Sequence, residues 1–428
     1  MSGNRLIALM NGTEIGDVDR DRRARLTLTY RADWRTFSDA VPLSISMPLA
    51  IAEHGEARIQ AFLWNLLPDN ELTLQRWARQ FHVSARNVFA LLEHVGEDCA
   101  GAVQFVSPDR LDAFQSPHHA EIEWLDEGDV AERLRLLRRD HAAWRLPRDV
   151  GQFSLAGAQP KTALLYRDGR WGLPSGRVPT THILKPPTGE FDGHVQNEHF
   201  CLTLARAVGL PTASAEIRWF EDEVAVVIER FDRFITQGAQ TILRLHQEDA
   251  CQALGLPPTR KYQNHGGPGP KQIVALLRTC SSTPAEDVAT FVDALAFNWL
   301  IAGTDAHAKN YALLHGPGRV RLAPLYDVAS ALPYDDLDFQ RLKLAMKIGK
   351  EYRLGDIGLR QWVTLAQDLR LDPDVTVGRV AKMATRLADQ VPPVREGALG
   401  QGLAHPVVDR LAERIVQRAE HCRRLLPG

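Results

Sequence analysis

The segment GTDAHAKN, at residues 303–310, places Asp305 five residues before Asn310, and Asp327 follows seventeen residues after the asparagine. A helical apolar pattern that ends at Ala302 precedes the segment, and a short strand pattern at residues 320–322 precedes Asp327. Phosphoryl transfer needs one carboxylate to orient a hydroxyl, and an amide and a second carboxylate to hold Mg²⁺. The spacing therefore predicts a kinase in which a helix delivers Asp305 to a rigid loop.

Each polar residue of this region has an expected role. Asp305 is predicted to accept or orient the proton of the acceptor hydroxyl, while Asn310 and Asp327 are predicted to bind Mg²⁺. Lys309 could neutralise charge on the transferred phosphoryl group. His307 is a further nucleotide-binding candidate, although packing or hydrogen bonding is the more usual role of such a histidine. The alternative is a polar loop with ordinary Asp and Asn turn residues.

Composition excludes several other classes of protein. With 428 residues, 44% of them hydrophobic, the chain can build two or three domains. A formal charge of −2 gives no global basic field, so any DNA contact would need a local patch or a partner. Five widely spaced cysteines indicate neither a disulfide framework nor a zinc site. No segment resembles a secretory signal or a membrane span, so we expect a cytoplasmic protein without a membrane partner.

Hydrophobic periodicity predicts four segments, at residues 1–110, 111–150, 151–239 and 240–428. The first has strand patterns at 6–10 and 24–30, with an Asn-Gly turn after the first of them. Helical patterns follow at 59–67, 72–81 and 84–95, the last with Ser84 as a possible N-cap. The second segment carries a charged helix at 127–139. Its clustered arginines could meet phosphates or a partner, but a solvated helix face is the more common explanation.

The third segment has four or five strands and one helix, at 196–208, as in a nucleotide-covering lobe. The fourth is predicted to be helical, with helices at 247–254, 270–280, 284–302, 359–369, 375–391 and 407–425. The predicted fold class is therefore α+β. It is a two-lobed protein-kinase-like fold, with a strand-rich N-terminal lobe, an extra N-terminal α/β subdomain and an all-helical C-terminal lobe.

The nucleotide-binding candidates lie in the third segment, on its strands, its helix and the loop at its start. Lys185 ends a strand, where it could pair with the α and β phosphates, and Glu198 in the following helix is its expected ion-pair partner. Glu229 and Phe231, at another strand end, could contact adenine. The small residues of SLAGAQPKT, at 154–162, could turn backbone N–H groups toward phosphate. The candidates within this loop are Ser154, Leu155, Ala156, Gly157 and Ala158.

Ordered motifs along nearly the whole chain resemble those of the HipA family of serine/threonine kinase toxins. In the first 110 residues they are PLSISMPL at 42–49, LWNLLPDN at 63–70 and VGEDCAGAVQF at 95–105. Beyond them lie SLAGAQPKTALL at 154–165, PTTHILKPP at 179–187, NEHFCLTLA at 197–205, VIERFDR at 227–233, LHQEDACQALG at 245–255, KYQNHGGPG at 261–269, WLIAGTDAHAKNY at 299–311, PLYDVASA at 324–331 and KLAM at 343–346.

The resemblance implies ATP and Mg²⁺ as cofactors, Asp305 as catalytic base, and Asn310 and Asp327 as metal ligands. It also implies that Ser154 is phosphorylated by the enzyme itself. Two added negative charges in a phosphate-binding loop would repel ATP and inactivate the enzyme.

The family role implies the toxin of a toxin–antitoxin pair, which phosphorylates an aminoacyl-tRNA synthetase, commonly the glutamate enzyme. A HipB-like helix-turn-helix antitoxin would bind the toxin and place the complex on operator DNA. Two alternatives stay open at this point: a small-molecule kinase of the same fold, and a catalytically silent co-repressor in a DNA-bound complex.

Overall fold

The structure is a computed structural model that describes residues 3–116, 121–144, 153–189, 191–235, 241–400 and 403–427. It forms two compact units that interleave along the chain. Unit 1 comprises Met1–Thr188, Arg218–Pro258 and Ala312–Val320, and unit 2 comprises Gly189–Ile217, Thr259–Tyr311 and Arg321–Gly428. The expected boundaries at 150/151 and 239/240 fall outside the described residues, and the four-segment division stays a prediction.

The first described stretch contains a five-stranded antiparallel sheet and its covering helices. In chain order its elements are β1 (Arg5–Met10), β2 (Thr13–Arg20), β3 (Leu26–Tyr30), α1 (Ala32–Thr36), β4 (Glu53–His54), α2 (Glu56–Leu66), α3 (Glu71–Phe81), α4 (Val88–Val95), β5 (Val103–Val106) and α5 (Leu111–Gln115). The sheet order is β4-β3-β2-β1-β5. Asn11 and Gly12 have φ of 48° and 83°, the left-handed pair that a two-residue hairpin turn requires, so the predicted turn is confirmed.

The predicted N-cap at Ser84 is wrong. Helix α4 begins at Val88, and the Asn87 side chain accepts a hydrogen bond from Ala90 N at 3.1 Å. The Ser84 hydroxyl instead accepts from Arg86 N at 3.2 Å, within the turn that precedes the helix. Both residue types cap helices well, and only Ala85 and Arg86 separate them, so the sequence does not reveal which one does so.

A second sheet occupies the middle of the chain. The elements here are β6 (Ile122–Leu125), α6 (Glu127–Arg139), β7 (Thr162–Arg167), β8 (Arg170–Pro174), β9 (His182–Lys185), α7 (His194–Ala207), β10 (Ala215–Phe220), β11 (Glu223–Glu229), β12 (Arg233–Ile235), β13 (Ile242–Arg244), β14 (His246–Asp249) and α8 (Ala250–Ala253). The six-stranded sheet has the order β10-β11-β9-β7-β8-β6, and the apolar face of α6 packs on it.

The arginines of α6 contact this protein's own carboxylates. Arg135 lies 2.7 Å from Asp222, and Arg135 and Arg138 lie 3.4 and 3.3 Å from the buried Glu223. Arg133, in the same helix, is buried. Arg135 and Arg138 therefore have an explanation within the fold that involves neither nucleic acid nor a partner.

The remaining elements are α9 (Pro270–Cys280), α10 (Pro284–Leu300), β15 (Ala312–Gly316), β16 (Arg319–Leu322), β17 (Lys343–Ile348), β18 (Glu351–Arg353), α11 (Leu359–Asp368), α12 (Pro373–Gly400) and α13 (Pro406–Arg424). The α+β class is confirmed, but the expectation of an all-helical region after residue 240 needs correction. Strands β14, β15 and β16 form a sheet, and β17 pairs with β18. Among the described residues, no helix is both long and apolar enough to cross a bilayer.

The helix predicted at 247–254 is instead the end of β14 followed by α8. Asp249 separates the two, because its carboxylate accepts a hydrogen bond from Gln252 N at 2.9 Å and so caps a new helix. Strand β14 pairs with β15, which lies more than sixty residues away in sequence. A local periodicity cannot reveal such a partner.

A buried ionic network in unit 1 joins residue 98 to the end of β11. The Asp98 carboxylate accepts hydrogen bonds from Arg233 at 2.8 Å, Thr180 at 2.6 Å and Arg230 at 3.3 Å, with Arg244 at 3.4 Å. Burial alone would raise the pKa of Asp98, but the guanidinium groups of Arg233, Arg230 and Arg244 hold it well below its usual range. Burial also lowers the pKa of Arg244 to about 10.

We expect Asp98→Asn to lower the free energy of unfolding by about 3–5 kcal/mol, because it removes a carboxylate shared by three buried guanidinium groups. Arg230 and Arg233 keep the buried Asp232 as a partner, so the network loses one of its two carboxylates. Asp19→Asn is the matched control. Asp19 pairs with Arg5 at 2.9 Å on the surface, and its loss should cost less than about 1 kcal/mol. Chemical denaturation of both variants measures the difference, and equal losses would contradict a central role for Asp98.

This difference should depend on pH. Because the folded chain lowers the pKa of Asp98, its contribution to stability is complete above the ordinary aspartate pKa of about 4. The contribution is lost as the pH falls below that value toward the folded-state pKa. Wild type and Asp98→Asn should therefore become more alike in stability under acid conditions.

Candidate active site

The loop that follows α10 is fixed by its own hydrogen bonds. Gly303 N donates to Asn298 O at 2.7 Å, and a Cβ at Gly303 would lie 2.2 Å from the Asn298 side-chain oxygen, so any larger residue would displace that side chain. Asn310 Nδ2 donates to the backbone carbonyl of Asp305 at 2.8 Å. This bond closes the loop. Asp305 itself is exposed, which suits a residue that meets an acceptor.

His307 and Lys309 are buried beneath the same loop. His307 N donates to Asp305 O at 2.7 Å, and Asn310 N donates to His307 O at 2.9 Å. The His307 ring lies edge-on to the Tyr262 ring, with centroids 5.0 Å apart. These contacts agree with a packing role for His307, and the charge-neutralising role of Lys309 stays a prediction.

The segment around Asp327 is attached to the first loop by backbone groups. The Tyr326 hydroxyl donates to Lys309 O at 2.5 Å, next to the predicted ligand Asn310. Leu325 forms an isolated parallel bridge with Thr212, with N–H···O distances of 2.8 Å on both sides. Asp327 has a φ of 57°, an uncommon left-handed conformation for a residue other than glycine. Such conformations persist where the surroundings impose them, and they cluster at functional sites.

The buried amide of Asn197 fixes the chain just after Asp327. Its Nδ2 donates to Ser330 O at 2.7 Å, and its Oδ1 accepts from Ser330 N at 2.9 Å. The Ser330 hydroxyl donates to Ile301 O at 2.5 Å, at the end of α10. Asn197 therefore couples helix α7, the end of α10 and the Asp327 segment. Asn197 lies in the NEHFCLTLA motif, and the sequence alone predicts no role for it.

The side chains of Asn310 and Asp327 suit Mg²⁺, because amide and carboxylate oxygens are hard ligands. Within the described ranges, no group of three or more His, Cys, Asp or Glu residues could hold a metal ion by itself. Mg²⁺ usually takes one or two protein ligands, together with waters and substrate phosphates, so two protein ligands are sufficient.

In unit 1, the loop at 154–161 is held against the first subdomain. Ser154 is fully buried, and its hydroxyl donates to Leu66 O at 2.8 Å. Ser154 N donates to Asp98 O at 2.9 Å, and Gly157 O accepts from Asp69 N at 3.0 Å. Leu155 belongs to the hydrophobic core of the first subdomain. Ala156 and Gly157 are half-buried and Ala158 is exposed, so only this tip of the loop is available to a ligand.

The loop is not a Walker A motif, and its own lysine, Lys161, bonds within the loop. Gly157 has a φ of 105°, and Lys161 Nζ donates to Ala156 O at 2.7 Å within the loop. Lys161 is also buried, 5.4 Å from the centre of the Trp144 ring. Its ammonium group is thus committed to the loop's own structure, and the nucleotide would need another lysine.

Lys185 is buried at the end of β9, opposite Val226 of β11. At the end of β11, Glu229 is exposed and Phe231 is half-buried, while Arg230 N donates to Thr181 O at 2.9 Å. Glu198 is buried in α7, which belongs to unit 2. The ion pair between Lys185 and Glu198, and the adenine contacts of Glu229 and Phe231, stay predictions.

Comparisons with known proteins show which family the chain is similar to. The family model of the HipA N-terminal domain matches residues 6–106, and that of the HipA-like C-terminal domain matches residues 153–393. The chain is 34% identical over 416 residues to a Sinorhizobium fredii protein named as a kinase, Y4mE, with 96% of each chain covered. It is 30% identical over 393 residues to the serine/threonine-protein kinase toxin HipA of Shewanella oneidensis, covering 88% of this chain and 86% of HipA.

The chain belongs to the HipA family of serine/threonine kinase toxins. A solved complex of Shewanella oneidensis HipA with HipB and operator DNA contains a chain that is 27% identical in sequence. The superposition has a TM-score of 0.83 and covers 97% of both chains. The predicted family, the protein-kinase-like fold and the serine/threonine kinase class are thereby confirmed.

We expect Asn197→Ala to lower the free energy of unfolding by about 2–3 kcal/mol, because it leaves buried backbone groups of Ser330 without partners. The Ser330 amide should also exchange its hydrogen faster. Thr364→Ala is the control: this hydroxyl bonds Arg360 O on an exposed helix face, and its loss should cost less than about 0.5 kcal/mol. Denaturation and hydrogen exchange measure both effects, and similar values for the two variants would argue against the coupling role.

Proposed function

We propose that this HipA-family kinase transfers the γ-phosphoryl group of ATP to a serine or threonine of a protein, with Mg²⁺ bound at Asn310 and Asp327. The observation that carries the proposal is the closed loop in which Asn310 holds the Asp305 carbonyl while Tyr326 holds the Lys309 carbonyl. These two bonds bring the predicted base and the predicted metal ligands into one hydrogen-bonded structure. Catalysis of phosphoryl transfer depends mainly on such positioning and on charge neutralisation.

Each residue has a defined role in this proposal. Asp305 orients the acceptor hydroxyl and takes its proton. Lys309 and Lys185 balance charge on the phosphates. Backbone N–H groups at the loop tip, together with Glu229 and Phe231, position the nucleotide. Bound Mg²⁺ would supply the positive charge that offsets the charge developing on the β and γ phosphates.

Asp305→Asn should abolish phosphoryl transfer while the chain stays folded, because asparagine keeps the shape of the side chain but cannot accept the proton. Purified variant and wild type are incubated with labelled ATP, Mg²⁺ and a cell lysate. Wild type should label protein, and Asp305→Asn should not. A circular dichroism melt checks that folding is unchanged.

The same assay separates the alternatives. Label that appears only in metabolites would identify a small-molecule kinase. An absence of label with wild type as well as with Asp305→Asn would indicate a silent co-repressor. Omission of Mg²⁺ should reduce the labelling to the level of the variant.

We also propose that Ser154 is an acceptor for the enzyme's own phosphoryl group. Its hydroxyl is buried against Leu66 O, so the loop must leave this conformation before it can react. A phosphoserine, with a charge near −2, cannot return to a buried site that is lined by a backbone carbonyl. Self-phosphorylation would therefore keep the loop open and inactivate the enzyme.

Wild-type protein incubated with Mg²⁺ and ATP should gain the mass of one phosphate at Ser154 and lose activity progressively. Ser154→Ala should gain no mass at this position and stay active for longer, since alanine has no hydroxyl to accept a phosphoryl group. Peptide mass spectrometry and a time course of protein labelling measure the two effects. Inactivation of Ser154→Ala at the wild-type rate would refute this role.

The proposed partners come from the solved relative, which is a complex with HipB and operator DNA. By analogy, this toxin would be restrained by a HipB-like helix-turn-helix antitoxin and would reach operator DNA through that complex. The net charge of −2 suits DNA contact made mainly by the partner. The proposed substrate is an aminoacyl-tRNA synthetase, with the glutamate enzyme as the first candidate for phosphoproteomics.

A further inference from the structure

A tyrosine outside the predicted site contacts the predicted catalytic base. The hydroxyl of Tyr262 donates a hydrogen bond to Asp305 Oδ1 at 2.5 Å. The two residues lie 43 positions apart in the chain. Hydrogen bonds from a hydroxyl to a carboxylate are typically about 2.5–2.7 Å long and are roughly twice as strong as neutral ones. Because its acceptor is a carboxylate, this contact is a charge-assisted hydrogen bond, and it engages one of the two carboxylate oxygens.

The loop that carries Tyr262 is rigid. Arg260 donates from Nε and Nη2 to Gly266 O at 3.0 and 2.6 Å, which closes the loop on itself. A Cβ at Gly267 would lie 2.0 Å from Arg260 O, a backbone atom that cannot move aside. The Gln263 side chain accepts from Lys347 N at 2.8 Å, which ties the loop to β17.

The loop that carries Tyr262 is attached directly to the loop at 303–310, which carries Asp305. Ala308 N donates to Lys261 O at 3.1 Å, and the Tyr262 ring packs edge-on against the His307 ring. Both contacts lie within three residues of Asp305. A backbone hydrogen bond, a ring contact and the closed loop thus hold the Tyr262 phenol next to the Asp305 carboxylate.

We propose that Tyr262 is a positioning residue for the transfer step, an inference that rests on the proposed function of Asp305. An exposed carboxylate has several accessible rotamers, and fixing one of them costs entropy. The Tyr262 hydroxyl holds Oδ1, so the carboxylate keeps one orientation and Oδ2 is directed to the acceptor hydroxyl. The Asp305 side chain therefore loses this rotamer entropy when the chain folds, and not in the catalytic step.

In the transfer step, the acceptor oxygen forms a bond to the γ-phosphorus. The bond from that phosphorus to the β,γ-bridging oxygen breaks, and its electron pair leaves with ADP. The hydroxyl proton passes to Asp305 Oδ2. Tyr262 keeps its own proton throughout and touches neither the nucleotide nor the acceptor.

The test variant is Tyr262→Phe, which keeps the ring and its packing on His307 but removes the hydroxyl. With labelled ATP and lysate protein as the probe, the initial rate at saturating ATP should fall about tenfold or more, since a hydrogen bond to a charged group is lost. The KM for ATP and the melting temperature should stay at wild-type values. A residue with a merely structural role would change the melting temperature, and a nucleotide-binding residue would change the KM for ATP.

Two further variants serve as comparisons. His265→Ala removes the other ring that contacts Tyr262, at a centroid distance of 5.6 Å, without touching Asp305, and should behave as wild type. Gly267→Ala displaces the loop that carries Tyr262 and should reduce the rate at least as much as Tyr262→Phe. The double variant Tyr262→Phe with Asp305→Asn should be no less active than Asp305→Asn alone.

The outcomes separate this inference from the proposed function. A wild-type rate for Tyr262→Phe, with Asp305→Asn inactive, overturns the role of Tyr262 and leaves the proposed function intact. An active Asp305→Asn overturns both. A loss in Tyr262→Phe that is accompanied by a raised KM for ATP or a lowered melting temperature also overturns the positioning role.

Discussion

Backbone groups that are buried must be hydrogen-bonded, and this constraint determines how the loops of this kinase carry exposed functional side chains. In unit 2, side-chain amides satisfy the buried backbone: Asn310 binds Asp305 O, and Asn197 binds both backbone groups of Ser330. In unit 1, the Ser154 hydroxyl binds Leu66 O. A single side chain in each case replaces the partner that a helix or sheet would have provided. The loops can therefore be irregular and still rigid.

Asp98 and Asp305 are carboxylates in opposite environments, one buried and one exposed. Asp98 is buried among three guanidinium groups, which lower its pKa and keep it ionised without access to any ligand. Its partners hold the chain next to Glu229 and Phe231, and its backbone carbonyl holds Ser154 N. Asp305 is exposed and has a tyrosine hydroxyl on one oxygen. A buried Asp305 without a counter-charge would lower the stability of the fold, because its charge would lose its hydration. Exposure avoids this cost and leaves the carboxylate able to exchange a proton.

Much of the fold could be predicted where the signal is local. Helix α9 begins at Pro270 and ends at Cys280, as predicted, because proline at the first helical position and glycine before it mark the start. The Asp305 to Asn310 spacing identified a loop that the structure closes with a direct hydrogen bond. These features depend on residues within a few positions of one another, which is the range over which sequence patterns are informative.

The features that were missed depend on distant partners. Strand β14 was predicted as helix because its pairing with β15 is invisible in a short window. The same limit hid Asn197, whose partner lies 133 residues away, and Tyr262, whose partner lies 43 residues away. Each lies inside a family motif, but a residue type and its neighbours do not reveal which backbone carbonyl or carboxylate it meets in the folded chain.

The burial of Ser154 has an energetic consequence for self-phosphorylation, if this serine is an acceptor. To expose its hydroxyl, the loop must break the bonds from Ser154 Oγ to Leu66 O, from Ser154 N to Asp98 O and from Asp69 N to Gly157 O. At about 0.5–1.5 kcal/mol each, these bonds favour the closed loop by a few kcal/mol. Leu155 must also leave the apolar core. Opening is then a minor, local fluctuation, so a protein substrate that meets the closed and active loop is phosphorylated faster than Ser154. Under this proposal, the contacts that build the loop would also set how long the enzyme stays active.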